Sequence, residues 1–217
     1  IINGGTPLEA ALDMHKPWGS VVEAYDPVMK ASEWCRDQVK TVNTNPEDVK
    51  NVIQTHLHLD HSGAIGHFPN ATHITQRIEY DYAFNPDWFS QPAYIKEDFD
   101  KPNIKWKFLQ GKKTDYYDVY GDGVIKIIFT PGHTPGHQSV LINLPKTGHM
   151  LLTGDACYTG DHWCDRCLPG LVASASDAAD SVAKLRKIAR ETNAKVVWGH
   201  DPVTWLDWNK APMFYYD

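Results

Sequence analysis

The chain has 217 residues, 42% hydrophobic and 22% charged, the ordinary make-up of a globular protein, and that length suits one domain over residues 1–217 with a substantial core. A formal net charge of −6 with neutral histidines disfavours nucleic acid or an anionic membrane as the main partner. No apolar run in the sequence is long enough to span a bilayer.

Ile1-Ile2-Asn3-Gly4-Gly5 reads as a strand entering a tight turn. With no initiator Met, basic n-region or signal-peptide core, the expectation is an incompletely represented amino terminus and a cytoplasmic location. Residues 6–30, rich in Gly, Pro and aromatic residues, read as a long ordered loop, and residues 31–42 as a short helix. Asn45-Pro46-Glu47-Asp48 has the cap, the early proline and the acids of a helix start. Val52–Thr55 reads as a buried strand, Ala71–Ile74 as a second, and Arg77–Phe84 as a helix. Residues 85–118 read as loop-rich, with aromatic residues for packing.

Gly121-Asp122-Gly123 is a hairpin signal before a strand over Val124–Phe129. Further strands are expected over Gln138–Asn143, Met150–Thr153 and Lys195–Trp198, and an amphipathic helix over Ser176–Thr192. No repeat or low-complexity linker interrupts them. Cys164-Asp165-Arg166-Cys167 is a CxxC without a second pair, so a closed zinc site is not expected; ordinary thiols are the leading reading, with a redox pair or a disulfide as alternatives.

Four of these strands lead to a histidine or aspartate: His56 and its neighbours, His133, Asp155 and His200. The densest stretch is His56-Leu57-His58-Leu59-Asp60-His61, with four strong metal ligands in six residues. Residues two apart on an extended segment share a side, so His56 and His58 can grip one ion, with Asp60 in phase. His61 points elsewhere unless the chain turns, and Ser62-Gly63 supplies a turn and a helix start. The bland alternative is a polar loop that happens to hold histidines. Five imidazoles (His56, His58, His61, His133, His200) and two carboxylates (Asp60, Asp155) fill two neighbouring ion sites. No Gly-x-Ser-x-Gly elbow offers a serine nucleophile instead.

This ligand pattern resembles the metallo-β-lactamase superfamily. Thr130-Pro131-Gly132-His133-Thr134-Pro135-Gly136-His137-Gln138-Ser139 is similar to the N-acyl-homoserine lactone lactonases, and Asp155-Ala156-Cys157-Tyr158 adds their tyrosine three residues after the aspartate. Phe68–His73 and Asp115–Gly123 resemble the γ-butyrolactone and acyl-homoserine lactonase branch of plant-associated bacteria.

The resemblance implies an α/β fold, an αββα sandwich without the first amino-terminal strands that family members carry. It implies two divalent metal ions, zinc first and iron, manganese or cobalt chemically admissible. His56, His58 and His133 hold one ion, Asp60, His61 and His200 the other, and Asp155 bridges them. The implied reaction is attack of a metal-bridging hydroxide on a small-molecule lactone, quorum quenching in effect. Tyr158 donates to the substrate oxygens and Asp60 passes a proton to the leaving oxygen. A monomer or homodimer is expected, with neither nucleic acid nor membrane as partner.

Two positions depart from the family: Asn3, where an aspartate is common, and Leu59, where several long-chain lactonases carry phenylalanine. A glyoxalase II-like thioesterase is the alternative enzyme, although the ending Ala211–Asp217 lacks that group's basic region. A non-catalytic metal-binding relative is the alternative from another class. A diiron oxidoreductase fits less well, because the flavin-linked relatives carry glutamate where this chain has His58. His137 reads as a packing histidine beside a full ligand set, and His15, His67, His73, His149 and His162 as core or solvent residues. Trp18, Trp88 and Phe89 read as packing or pocket wall, and Asp201 as either a partner of His200 or a helix cap.

Overall fold

A computed structural model describes residues 1–25 and 28–217; Asp26 and Pro27, part of the loop expected over residues 6–30, lie outside the described residues. The chain divides into two compact units, Ile1–Thr75 with Tyr80–Phe108, and Gln76–Glu79 with Leu109–Asp217.

In the first unit a three-stranded sheet has the order β1 (Asn51–Ile53), β2 (Thr72–Gln76), β3 (Lys105–Leu109). β1 and β2 are parallel, with Val52 opposite His73. Ile2 bridges Ile53 in parallel, and the Ile53 amide donates to the Ile1 carbonyl at 2.9 Å, so the first residues lie along β1. Val39, Val49, Val52, Ala64, Phe68 and Ala71 form one buried cluster. A second gathers Leu57, Ile65, Ala83, Tyr94 and Phe99.

Residues 6–25 are not the expected loop. They hold α1 (Leu8–Asp13), α2 (His15–Trp18) and a 3₁₀ turn over Gly19–Glu23. Helices this short are marginal alone. Ala10 and Trp18 are buried against Leu59, and that packing holds them. Residues 31–42 do not form one helix: Trp34, extended at ψ 133°, separates a 3₁₀ turn from α3 (Cys35–Gln38). The helix start at Asn45 yields one 3₁₀ turn over Pro46–Asp48, because Val49 turns extended at ψ 120° and leads into β1. α4 (Arg77–Phe84) falls where expected. The loop-rich stretch conceals α5 (Lys96–Phe99), β3 and, at its end, β4 (Tyr116–Asp118).

The second unit carries a five-stranded sheet of order β4, β5 (Ile125–Phe129), β6 (Gln138–Leu144), β7 (Gly148–Leu152), β8 (Lys195–Val197). β4 to β7 pair antiparallel in sequence, and β7 and β8 are parallel. β5, β7 and β8 therefore share one direction, and their carboxyl ends lie on one edge. The Asp118 carboxylate holds the β4–β5 hairpin by accepting from the Gly121 and Gly123 amides at 2.8 and 2.7 Å. α6 (Gly160–Trp163) follows β7.

α7 (Ala175–Thr192) buries Ala178, Ser181, Val182, Leu185, Ile188 and Ala189, a helical-period stripe. Leu185, Ile188 and Ala189 close over Ile128, Leu141, Leu151 and Ala156. Each large aliphatic side chain buried there contributes roughly 1.5–3 kcal/mol. Ser174 caps the helix by accepting from the Asp177 amide, and Asn193, left-handed at φ 53°, ends it. α8 (Pro202–Asp207) follows β8.

Candidate metal centre

His56, His58 and His61 follow β1 and are almost wholly buried. The segment is irregular from Gln54 onward, so the expected strand stops at Ile53. A tight turn begins at His58, whose carbonyl accepts from the His61 and Ser62 amides at 3.0 Å. This turn lies earlier than the one expected at Ser62-Gly63, and no helix starts there. It brings the His61 ring to 4.2 Å from His56, centroid to centroid, while His58 lies at 4.5 Å, nearly perpendicular. One ring nitrogen of His56 lies within 4.8 Å of one of His58, and one likewise within 4.8 Å of His61. Asp60 is partly exposed, its carboxylate 3.5 Å from His61 Nε2.

Gly63 makes the turn possible. A Cβ there would sit 2.3 Å from the Pro7 nitrogen and 2.6 Å from the Gly5 carbonyl oxygen. The amino-terminal segment therefore packs flush on the ligand turn, with the Gly63 amide donating to Gly5 at 2.9 Å. Asn3 reaches His61, a candidate ligand, directly. Its Oδ1 accepts from the Thr55 amide at 2.8 Å, and its Nδ2 lies 2.9 Å from His61 Nδ1. Thr55 Oγ1 lies 3.0 Å from His56 Nδ1.

In the second unit, His133, Asp155 and His200 each follow the carboxyl end of β5, β7 or β8 by three or four residues. The shared strand direction places these ends together. Asp155 Oδ2 lies 3.5 Å from His133 Nε2 and 3.2 Å from His200 Nε2. His133 Nδ1 lies 2.8 Å from the Leu171 carbonyl oxygen. A carbonyl only accepts, so Nδ1 carries the proton and Nε2 keeps its lone pair on the Asp155 side. Tyr158 brings its hydroxyl to 3.4 Å from the same Nδ1. That oxygen meets the imidazole N–H as an acceptor, so the phenolic proton points elsewhere.

His137 is no ligand of this cluster. Its Nε2 accepts from the Asp155 amide at 3.0 Å, and its Nδ1 sits 2.9 Å from Thr130 Oγ1. It braces the backbone that carries Asp155. Asp201 caps α8, accepting from the Val203 and Thr204 amides at 2.9 and 3.1 Å and from Gly160 at 3.1 Å. Those hydrogen bonds, Thr204's foremost, hold its carboxyl below the usual range.

Three supports of the site have no motif in the sequence to mark them. His162 Nδ1 accepts from the Tyr158 amide at 3.0 Å, with its own pKa lowered by burial, and so orients the tyrosine. Buried Glu79 accepts from the Thr134 hydroxyl at 2.6 Å and the Gly136 amide at 3.2 Å, which fixes the loop carrying His133. Leu171 sets the His133 tautomer through its carbonyl, which no side-chain pattern could signal. His73 packs beside Trp106, and burial lowers its pKa to about 4.

Trp18 and Leu59 belong to a buried cluster with Ala10, while Trp88 and Phe89 are exposed. Tyr94 packs edge-on against His58 at 4.6 Å and lines a cavity of about 690 Å³ with Phe84, Pro92 and Ile95. Cys164 and Cys167 are exposed free thiols, and burial pushes the Cys157 thiol up to about 12.

The imidazoles of His56, His58 and His61 in the first unit, and those of His133 and His200 beside Asp155 in the second, repel if protonated and suit a cation if neutral. The donor chemistry fits divalent metal. The family model of the metallo-beta-lactamase superfamily matches residues 25–200, and the chain belongs to that superfamily, with its α/β fold. The chain is 55% identical over 215 residues to the N-acyl homoserine lactonase AttM of Rhizobium radiobacter, 99% of this chain and 82% of that protein. A crystal structure of B. thuringiensis AiiA with N-decanoyl-L-homoserine bound at its active site matches with a TM-score of 0.85 at 29% identity, over 100% of this chain and 81% of that one. A second, of an N-acyl homoserine lactone hydrolase with N-hexanoyl-L-homoserine at its catalytic metal center, matches equally, with a TM-score of 0.85, 29% identity and the same two coverages.

Proposed function

We propose that this chain is a metal-dependent lactonase that opens the ring of N-acyl-homoserine lactones, and of γ-butyrolactones by the same chemistry, and so quenches quorum signals. The observation that carries the reading is Tyr158, whose hydroxyl lies 3.4 Å from the His133 imidazole that faces Asp155. The names of the relatives support it.

His56, His58, Asp60, His61, His133, Asp155 and His200 are the proposed ligands, divided between two ions as the resemblance to the family implies. Zinc is the proposed metal, because imidazole with carboxylate suits it. Such ions, when bound, polarise a carbonyl and supply a nucleophile from water at neutral pH. Asp155 and the histidines orient that chemistry. Tyr158 donates its phenolic proton toward the substrate oxygens as negative charge develops on them. Asp60, the partly exposed acid of its segment, passes a proton to the ring oxygen as the acyl C–O bond breaks. Water is added across that bond, and the product is the ring-opened hydroxy acid.

The discriminating assay compares an acyl-homoserine lactone with a glutathione thioester. Lactone turnover well above thioester turnover is expected. The reverse ratio would select the glyoxalase II-like reading, and metal binding with turnover of neither would select a non-catalytic relative.

A further inference from the structure

Asn3 bridges two groups with incompatible needs. The Thr55 backbone N–H can only donate, and it lies 2.8 Å from Asn3 Oδ1. The amide oxygen is therefore fixed toward Thr55, and the NH₂ group faces His61 Nδ1 at 2.9 Å. An NH₂ group can only donate. His61 Nδ1 is therefore an acceptor, and in a neutral ring the proton sits on Nε2. That nitrogen lies 3.5 Å from the Asp60 carboxylate.

The arrangement is the opposite of His133, where the Leu171 carbonyl keeps the proton on Nδ1 and leaves a lone pair on Nε2. A metal needs a lone pair. For His61 to offer one at Nε2, its proton must move to Nδ1, against the Asn3 NH₂. Rotating the Asn3 amide relieves that clash and creates another, because the NH₂ then meets the Thr55 N–H. An aspartate at this position would accept from both. Asn3 itself is held in the left-handed region at φ 54°, and its amide donates to the Ile53 carbonyl at 2.8 Å. The backbone therefore does not let the side chain withdraw.

We infer that Asn3 is a positioning residue that holds metal-free His61 in its Nε2–H tautomer and so weakens the ion that His61 helps to bind. The inference rests on His61 being a metal ligand, as proposed above. The two ions of the centre are then held unequally, and the ion at His61 exchanges readily.

Two measurements on the full chain test it. The first is ¹⁵N-histidine NMR of the metal-free protein, with the His61 signals assigned by their loss in His61→Gln. The native chain should show a bare Nδ1 and a protonated Nε2, and Asn3→Asp should exchange them. The second is zinc titration against a chromophoric chelator. Native protein should show one tight and one weaker step, and Asn3→Asp should tighten the weaker step by roughly 10–100-fold, the usual effect of a partner behind a ligand. A protonated Nδ1 in native His61, or an unchanged weaker step in Asn3→Asp, overturns the inference. Failure of the underlying metal reading looks different, because His58→Ala would then also leave zinc uptake unchanged.

Discussion

Replacing Gly199 with alanine tests how closely the ligand cluster of the second unit is built. Gly199 sits between β8 and His200, and a Cβ there would meet the Gly154 carbonyl oxygen at 2.6 Å and Asp155 Oδ1 at 3.0 Å. Ordinary contact begins at 3.4 Å, so one side must give way by about 0.8 Å. The backbone cannot easily do so, because the Gly199 amide donates to Cys157 at 3.0 Å and the His200 amide to Tyr158 at 2.9 Å. Gly199 is also outside the left-handed region, so alanine brings no φ strain and the contact alone is tested. Overpacking of this kind costs about 1–3 kcal/mol. Metal–ligand distances tolerate only about ±0.2 Å, so a shift of that size at Asp155 or His200 should weaken metal binding by about tenfold or more. Thermal unfolding of the metal-free protein reads the first effect, and chelator competition followed by lactone turnover reads the second. A Gly199→Ala protein with native melting temperature, metal affinity and turnover would refute this reasoning.

Two further outcomes follow from the same structure. Tyr158→Phe keeps the ring beside His133 and His200 and removes only the donor, so kcat for lactone opening should fall by about 10²-fold with metal content unchanged, and unchanged kcat would remove Tyr158 from the mechanism. Burial, opposed in part by Lys101, raises the Asp98 carboxyl from 3.8 to about 6. A raised acid is favoured neutral in the fold, so its contribution is present below pH about 4 and lost as pH rises through about 6. Asp98→Asn should therefore match the native chain near pH 4 in urea unfolding and exceed its stability at pH 8 by about 2–3 kcal/mol, whereas a pH-independent difference would contradict the assignment.

The parts of the fold legible in the sequence were those with strong local periodicity or punctuation. The α7 stripe, the Gly121–Gly123 hairpin and strands β5 to β8 fell within a residue or two of expectation, because each declares itself over a short window. β3 was missed although Lys105-Trp106-Lys107-Phe108 alternates exposed and half-buried residues; its aromatics masked a period-2 pattern. The short helices over residues 8–18 were illegible because their stability comes from packing on Leu59, distant in sequence. At the site, the candidate ligands were legible as residue types, because imidazole and carboxylate have few other uses at that density. What was not legible is the setting of each ring. The Leu171 carbonyl behind His133, the Asp155 amide on His137 and the Asn3 side chain behind His61 are long-range contacts without a sequence signature.

Metal analysis joined to a substrate assay asks whether these histidines and aspartates hold divalent metal for lactone opening. Purified native chain, its chelator-treated form and the His58→Ala and Asp60→Ala variants are measured for bound metal and for ring opening of an acyl-homoserine lactone. Two divalent ions per native chain are expected, with turnover lost on chelation and restored by zinc, and both metal and turnover lost in each variant. Full turnover in either variant, or in the metal-free native chain, would contradict this expectation.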